Sequence, residues 1–310
     1  MDRVLWVDTI CPFCPEGSVS NYYCSTGDRL REPLLENYRL VRCASCSLVY
    51  LNPRPSFGPK DDFYREEGYD PFLSMRKKLR FSDRVYTRAR RWTLNWKRRL
   101  IQRWMPAGAR ILDVGCGTGE FLNALKQDYQ VQGIEPESQA AEWARREFGL
   151  LVSTGTLLKA GLADGSFDMI TLWHVLEHVP EPLAELAELH RLLTPTGRLL
   201  LALPNIGSVD ARTYRRHWVA LDAPRHIWHF QPSHIKLLAA RGGFRLLDSG
   251  MMPLDTFYNA LWSERIKYQV GGVQQALRLP IRLPFAVTAS LIVGGLTGQH
   301  SGIWYVLAKT

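Results

Sequence analysis

A glycine-rich turn flanked by two acidic residues is the feature of this sequence that most directly suggests chemistry. Asp113 precedes three glycines at alternate positions, which are Gly115, Gly117 and Gly119. Glycine lets the backbone turn sharply and lets a ligand approach closely. Twenty residues after the first glycine, Glu135 ends an apolar run, where a carboxylate can accept hydrogen bonds from ribose hydroxyls.

The spacing of these glycines distinguishes between two kinds of nucleotide ligand. A dinucleotide-binding turn reads G-x-G-x-x-G and holds a pyrophosphate at the helix N-terminus. The last glycine of that pattern would fall at Glu120, whose carboxylate would repel a pyrophosphate. It would not repel a ligand that carries an amine and a sulfonium, and Asp113 can also face a cation. The turn therefore favours a cationic nucleoside ligand.

Two histidine-bearing segments supply the second group of candidate residues. The run at 173–180 reads W-H-V-L-E-H-V-P, and the run at 224–230 reads P-R-H-I-W-H-F. Ligands bind at the carboxyl ends of parallel strands, so Trp173 and His174 are expected to flank the cofactor. A histidine with a pKa near neutrality suits removal of a proton from an alcohol or a carbon acid.

Two C-x-x-C pairs near the N-terminus predict a metal site. The four thiolates of Cys11, Cys14, Cys43 and Cys46 have the number and spacing of a tetrahedral zinc site. A module of roughly 50 residues has little core of its own, so zinc would supply folding energy. Four thiolates leave no open position on the ion, which predicts a structural role. Free thiols or a redox pair are the alternatives, and Cys24 is the spare ligand.

Elements that position these residues follow from the apolar periodicity. Strands are predicted at 111–114, 130–135, 150–153, 169–173, 198–203, 243–249 and 303–308. Helices are predicted after the glycine turn, at 138–148, from the 177–178 region to 193, and at 233–241. Residues 254–300 give only a weak pattern. This alternation of strands and helices is typical of an α/β fold with a mostly parallel sheet.

These motifs together resemble the class I S-adenosylmethionine (SAM)-dependent methyltransferases. Residues 112–119 are similar to the first motif of that family, Glu135 to the second, and 164–179 to a further hallmark. The resemblance implies a doubly wound, seven-stranded, Rossmann-like sheet with an antiparallel last strand. It places SAM against these residues: Asp113, Gly115, Cys116, Gly117, Gly119, Glu135, Pro136, Thr156, Leu157, Trp173 and His174.

One position departs from the family pattern. Where the family often has an acid that holds the adenine amino group, this chain has Thr156. Backbone groups of Thr156 and Leu157 could hold the adenine instead. The departure leaves open a non-catalytic alternative, in which the chain is a SAM-binding or membrane-surface adaptor.

The resemblance extends to a bacterial subgroup that carries an N-terminal zinc ribbon and acts on sugars or cell-surface saccharides. The second cysteine pair runs into N-P-R-P-S at 52–56, as in that subgroup, which also has a segment like 224–230. In related sugar C-methyltransferases a histidine of a comparable segment is taken as the general base. This implies His226 as the base, with Arg225 and His178 as further catalytic candidates. Structural roles for His226, His229 and Glu177 stay open.

The positive charge of the chain is concentrated in one stretch. Residues 76–103 hold twelve Lys or Arg and one acid, which gives this stretch a charge of +11. Because the net charge of the whole chain is +9, the remainder carries −2. Apolar residues at helical spacing predict a long helix over 74–104; they are Leu79, Val85, Ala89, Trp92, Trp96, Leu100 and Trp104. Its basic face is either a solvated docking face or a surface for anionic lipid, a phosphorylated substrate or RNA.

We expect three parts in this chain. They are a cysteine module at 1–56, a linker with the basic amphipathic helix at 57–104, and a methyltransferase domain at 105–310 with insertions at 204–231 and 254–300. No export signal and no run of eighteen apolar residues is present, which predicts a cytoplasmic protein, free or peripheral at the inner face of the membrane. The expected acceptor is a small molecule or saccharide, including phosphorylated forms; the alternative acceptor is RNA.

Overall fold

The computed structural model describes residues 5–14, 19–31, 35–56, 81–271 and 279–310. The linker at 57–80, with the predicted start of the basic helix at 74, lies outside these described residues. Five short strands belong to the N-terminal segment: β1 (Trp6–Val7), β2 (Ser20–Thr26), β3 (Tyr38–Cys43), β4 (Val49–Leu51) and β5 (Arg54–Pro55).

The rest of the described chain contributes eight further strands. They are β6 (Arg110–Val114), β7 (Gln130–Glu135), β8 (Leu151–Thr154), β9 (Phe167–Trp173), β10 (Leu193–Pro204), β11 (Trp228–His229), β12 (Phe244–Met251) and β13 (Gly302–Lys309). Seven of them form the central sheet in the order β12-β13-β10-β9-β6-β7-β8. Strand β13 is antiparallel to both of its neighbours, β12 and β10. The other five strands, β10, β9, β6, β7 and β8, are parallel to one another. The predicted doubly wound sheet with an antiparallel last strand is confirmed.

Helices cover both faces of this sheet. The α-helices in the described part are α1 (Phe81–Trp104), α2 (Glu120–Leu125), α3 (Ser138–Phe148), α4 (Pro182–Leu192), α5 (Val209–Tyr214), α6 (Pro232–Arg241), α7 (Asp255–Gly271) and α8 (Leu279–Thr297). Neighbouring residues of β6 serve opposite faces. Ile111 packs with Leu100 and Ile101 of α1, while Leu112 packs in the cluster that contains Leu186 of α4. Such strands are apolar throughout because both faces are buried.

Two predicted boundaries are wrong for a local reason. The helix expected from the 177–178 region begins only at Pro182, after a 3-10 turn at Leu176–His178. Proline fixes φ and has no N–H, so it suits the first turn of a helix and disfavours its interior. The strand predicted at 198–203 begins earlier, because β10 already pairs with β9 at Leu193 and shifts register before Arg198.

The basic helix packs differently from the predicted stripe. Trp96 and Trp104 pack against the sheet, and Leu100 is buried, but Trp92 is half exposed. Arg90 pairs with Glu120, and Arg98 donates to Asp128 at 2.7 Å. Two residues of the basic face, Arg90 and Arg98, therefore help to dock the helix on the domain.

The insertion at 204–231 is part of the fold rather than an open loop. Its strand β11 pairs with β4, so that β11, β4, β3 and β2 form one four-stranded sheet. Between 218 and 230 all side chains are buried. The cysteine module and this insertion are therefore one packed unit. None of the described helices is both long enough and apolar enough to cross a bilayer.

Candidate active site and cysteine cluster

The glycine turn is shaped by contacts that only glycine allows. Gly115 has a φ of +70°, and a Cβ there would lie 2.6 Å from Cγ2 of Val175. Gly119 has a φ of +78°, and its Cβ would lie 2.6 Å from Cδ1 of Leu150. The close approach of Val175 also means that the segment after β9 lies directly against the turn. The sequence-predicted cofactor residues and the first histidine segment are thus neighbours.

Glu135 lies under this turn at the end of β7. Its carboxylate accepts hydrogen bonds from the backbone N–H of Gly117 at 2.7 Å and of Glu137 at 2.9 Å. Burial nevertheless raises the pKa of Glu135 to about 7, against the lowering effect of these two donors. A carboxylate in this place can accept further hydrogen bonds from a ribose.

Asp113 is the second buried acid beside the turn. It accepts a hydrogen bond from Thr171 Oγ1 at 2.6 Å. Burial raises the pKa of Asp113 to about 7, although the hydrogen bond from Thr171 and the charge of Lys97 lower it. Burial and the neighbouring groups therefore act on this carboxyl in opposite directions.

Lys97 is a site residue that sequence reasoning missed. Its ammonium lies 4.1 Å from the ring centroid of Trp173, and desolvation lowers its pKa to about 8 while Asp113 and Asp255 oppose this. In the sequence it was one of twelve basic residues of a charged stretch. Its spacing could have indicated an inward position. Lys97 falls one helical turn from Leu94 and from Leu100 or Ile101, which face the sheet.

The remaining predicted cofactor residues contribute mainly backbone. Cys116 is buried, and its Sγ fills the space beside Gly133 under the turn. Leu157 is buried in the core, so only its main chain is available to a ligand. Pro136 and Thr156 are exposed at the rim, after β7 and β8 respectively.

His174 joins the insertion at 254–300 to the site. Its Nδ1 lies 3.5 Å from Glu177 Oε1, and its Nε2 lies 3.4 Å from Asp255 Oδ2. Burial alone would lower the pKa of His174, yet the two carboxylates raise it to about 10. The imidazole is therefore a cation at neutral pH. Asp255 opens α7, and its role was not visible in the weak pattern of 254–300.

Glu177, His178 and His226 form a compact group next to His174, here called the histidine group. One ligand atom from each lies within 4.8 Å of the others. Glu177 does not cap a helix, and its two buried oxygens have no hydrogen-bond partner among the described residues. Burial lowers the pKa of His178 to about 4, so its ring is neutral. The two imidazoles meet edge to face with ring centroids 4.5 Å apart.

Arg225 lies in the wrong place for the predicted catalytic role. It is fully buried, and its Nη2 contacts Asp28 at 2.7 Å and Asp222 at 2.5 Å. Asp222 Oδ1 also accepts a hydrogen bond from Nε of Arg29 at 2.7 Å. Arg225 therefore ties the N-terminal module to the insertion. His229 is likewise buried, and desolvation lowers its pKa to about 3.

The four predicted zinc ligands come together. Their sulfur atoms all lie within 4.8 Å of one another, with 3.5 Å between Sγ of Cys11 and Sγ of Cys46. None of these thiols is in a disulfide, and Cys24 is not part of the cluster. Four thiols at this separation fit an ion with Zn–S distances of about 2.3 Å after a small contraction.

Comparison with known proteins assigns the class. Residues 67–249, more than half of the chain, match a family model described as a methyltransferase domain. The chain belongs to this methyltransferase-domain family, and it is a SAM-dependent methyltransferase. The glycine turn and the buried acids beside it fit SAM, because the turn leaves close access for a nucleoside and the acids can face ribose hydroxyls and an amine.

Three curated relatives are similar to part of this chain. The chain is 32% identical over 161 residues to the ubiquinone biosynthesis O-methyltransferase of Xanthomonas axonopodis pv. citri, which covers 47% of this chain and 67% of the relative. It is 33% identical over 119 residues to the ubiquinone biosynthesis O-methyltransferase of Pseudomonas aeruginosa strain LESB58, covering 36% and 50%. An uncharacterized 37.1 kDa protein of a Streptomyces fradiae transposon is 35% identical over 126 residues, covering 36% of each chain.

Solved structures share the fold. A Galdieria sulphuraria protein provisionally assigned as a sarcosine dimethylglycine methyltransferase has a TM-score of 0.50 at 17% identity, covering 72% of this chain and 86% of that chain. A chain from the complex of the Haloferax volcanii Trm112 methyltransferase activator with a provisionally assigned methyltransferase also gives 0.50, at 14% identity, covering 71% and 91%. At these identities the likeness concerns the fold alone.

Proposed function

We propose that the protein transfers the methyl group of SAM to a hydroxyl oxygen of a small-molecule or saccharide acceptor, by direct in-line displacement. The observation that carries this proposal is the packing of Val175 against Gly115, which sets the histidine group beside the cofactor turn. The O-methyltransferase relatives support oxygen as the attacked atom. The resemblance to the zinc-bearing subgroup supports a saccharide as the acceptor.

The cofactor is held by four features of this chain. Glu135 accepts from the ribose, the glycine turn gives access, and Asp113 faces the amino group. The ammonium of Lys97 pairs with the carboxylate of the methionine part. When bound, SAM supplies a methyl group activated by a sulfonium. Alignment of this methyl with the acceptor oxygen is the main task of the protein.

The acceptor oxygen lies at the histidine group and loses its proton there. His226 is the proposed base, because its Nδ1 lies 2.8 Å from the carbonyl of Ala220 and must donate to it. The opposite nitrogen, Nε2, is then the proton acceptor. His178 is the second catalytic candidate, and Arg225 is a positioning residue that holds the segment of His226 in place.

The N-terminal module is proposed to be a structural zinc domain. Four thiolates leave zinc without an open position, so the ion stabilises the fold and takes no part in the reaction. Strand pairing between β4 and β11 carries that stability to the segment with His229. The proposed limits of the three parts of the chain are after residue 56 and after residue 104.

RNA, lipid and adaptor roles receive less support. Three basic residues of α1 are engaged within the chain, since Arg90 and Arg98 pair with acids and Lys97 lies beside Trp173. The remaining basic residues of this helix can still attract a phosphorylated acceptor or an anionic membrane surface. The buried acids beside the turn support binding of SAM, and the histidine group supports turnover as well.

Transfer of labelled methyl from SAM into a fractionated cell extract tests the proposal. The fractions are nucleotide sugars with other small molecules, lipids with polysaccharides, and RNA. Label in either of the first two supports the proposal, and it identifies the acceptor class. Label confined to RNA would refute it, and binding of SAM without label in any fraction would favour the adaptor.

A further inference from the structure

We propose that Glu177, His178 and His226 bind one divalent first-row transition-metal ion, and that the acceptor hydroxyl coordinates this ion. Binding of the ion follows from the geometry of the three side chains. Its role toward the acceptor rests on the proposed function. The site is separate from the four-cysteine cluster and has different ligand chemistry.

The carboxylate of Glu177 is the first observation behind this proposal. Only 1% of the residue is exposed, and neither oxygen has a hydrogen-bond partner among the described residues. Nδ1 of His174 lies 3.5 Å from Oε1. A buried carboxylate without hydrogen bonds is costly unless a cation compensates it. His174 supplies part of this compensation, and a metal ion held together with the two imidazoles would supply the remainder.

The orientation of the two imidazoles is the second observation. Nδ1 of His178 lies 3.0 Å from the carbonyl of Arg225, and Nδ1 of His226 lies 2.8 Å from the carbonyl of Ala220. A carbonyl can only accept, so each Nδ1 carries the proton, and Nε2 carries the lone pair. Histidines that ligate metals have this arrangement, because the second hydrogen bond fixes the tautomer and the ring plane.

The ligand set selects the kind of ion. Two imidazole nitrogens and one carboxylate suit Mn²⁺, Fe²⁺, Co²⁺ or Zn²⁺ rather than Mg²⁺ or Ca²⁺, which prefer oxygen. Ligand atoms at about 2.1 Å from one ion lie at most about 4.2 Å apart. The observed limit of 4.8 Å is therefore within reach of a small side-chain movement. Three protein ligands leave positions open for an acceptor.

An ion at this site changes how the acceptor loses its proton. A bound ion would replace the base role given to His226 above, because its Nε2 would then be a ligand, and the second oxygen of Glu177 would accept the proton instead. Coordination weakens the O–H bond by stabilising the oxygen anion. The O–H bond breaks, the oxygen forms a bond to the methyl carbon, and the C–S bond of SAM breaks to give the neutral thioether. The proton then passes from Glu177 to water.

Titration of the full-length, zinc-loaded protein with Mn²⁺ alone, followed by electron paramagnetic resonance, tests the site. Mn²⁺ prefers oxygen and nitrogen over thiolate, so the cysteine cluster does not interfere. We expect one bound Mn²⁺ per chain, and at least tenfold weaker binding in Glu177→Gln and His226→Gln. Glu185→Gln is the matched control, because Glu185 is also a buried carboxylate but lies outside the group. Circular dichroism of each variant verifies folding.

Several outcomes would overturn the inference. They are no bound Mn²⁺ in the wild-type protein, or equal binding by wild-type protein and both variants. Full methyl transfer by chelator-treated protein that takes up no Mn²⁺ would also overturn it, while the proposed function would stand. Conversely, Mn²⁺ binding at these residues without any SAM binding would support the metal site and refute the proposed function.

Discussion

A buried ion pair between Arg225 and Asp28, with 2.7 Å between Nη2 and Oδ1, joins the cysteine module to the segment that carries His226. Both side chains are almost fully buried. The pair crosses nearly 200 positions of sequence, and it adds to the strand pairing of β4 with β11. Buried contacts therefore hold the module and the segment that carries His226 together.

Removing Asp28 is expected to destabilise the whole protein. The Asp28→Ala variant removes one of the two described acids that pair with the buried guanidinium of Arg225, at a cost of about 3 kcal/mol. Denaturant unfolding measures the loss. The matched control is Glu36→Gln, which breaks the exposed pair with Arg216 and should cost less than about 1 kcal/mol. Equal effects of the two substitutions would mean that the buried pair is not a structural link.

Loss of zinc is expected to lower stability and activity together. A chelator strong enough to empty the cysteine cluster should lower the unfolding temperature, because zinc binding contributes folding energy to such modules. The Cys43→Ser variant should reproduce this effect and hold less than one zinc per chain, whereas Cys24→Ser should behave as wild type. Metal analysis and thermal unfolding make the comparison. Unchanged zinc content in Cys43→Ser would remove that residue from the ligand set.

The contribution of Glu135 to SAM affinity is expected to rise with pH across neutrality. In the folded protein the pKa of Glu135 is raised to about 7, so its carboxyl is largely protonated at pH 6 and ionised at pH 8. Only the ionised form accepts hydrogen bonds with both oxygens. A group with a pKa near 7 makes binding at pH 6 about tenfold weaker than at pH 8.

Calorimetric titration with SAM across this range measures the effect. Glu135→Gln should bind more weakly and lose the share of the pH dependence that comes from this carboxyl. Glu142→Gln, on the exposed side of α3, should retain the wild-type profile. An identical pH profile in wild-type protein and Glu135→Gln would contradict the ribose assignment.

Replacement of Lys97 is expected to weaken SAM binding without unfolding the helix. Lys97→Met keeps the apolar stem beside Trp173 and removes the ammonium, which should cost about tenfold in affinity, or ~1.4 kcal/mol. Arg99→Met, an exposed neighbour on α1, serves as the control for charge. The same calorimetric titration compares them. Equal affinities in the two variants would show that Lys97 serves packing only.

Local patterns predicted most of the fold. Strand β7 and helix α3 have their predicted bounds because each is a regular apolar pattern with clear ends. The glycine turn, Glu135 and the cysteine pairs were found for the same reason, since their ligand spacing is short in sequence. The comparison with known families confirms the fold and the methyltransferase class.

Contacts between distant segments could not be predicted in this way. Asp255 reaches His174 across 81 positions, and the pairing of β4 with β11 joins residues near 50 and 228. Arg225 was taken for a catalytic residue because a sequence does not show that Asp28 neutralises it. Lys97 was hidden among surface charges, although its spacing relative to Leu94 placed it on the inner face of α1.

The rate of labelled methyl transfer from SAM to the extracted small-molecule acceptor, in wild-type protein and in His226→Gln, is the most direct test of the account. His217→Gln is the control from the same insertion. We expect a loss of at least a hundredfold in kcat for His226→Gln with unchanged affinity for SAM, and wild-type rates for His217→Gln. Transfer by His226→Gln at the wild-type rate would contradict the placement of the acceptor at the histidine group.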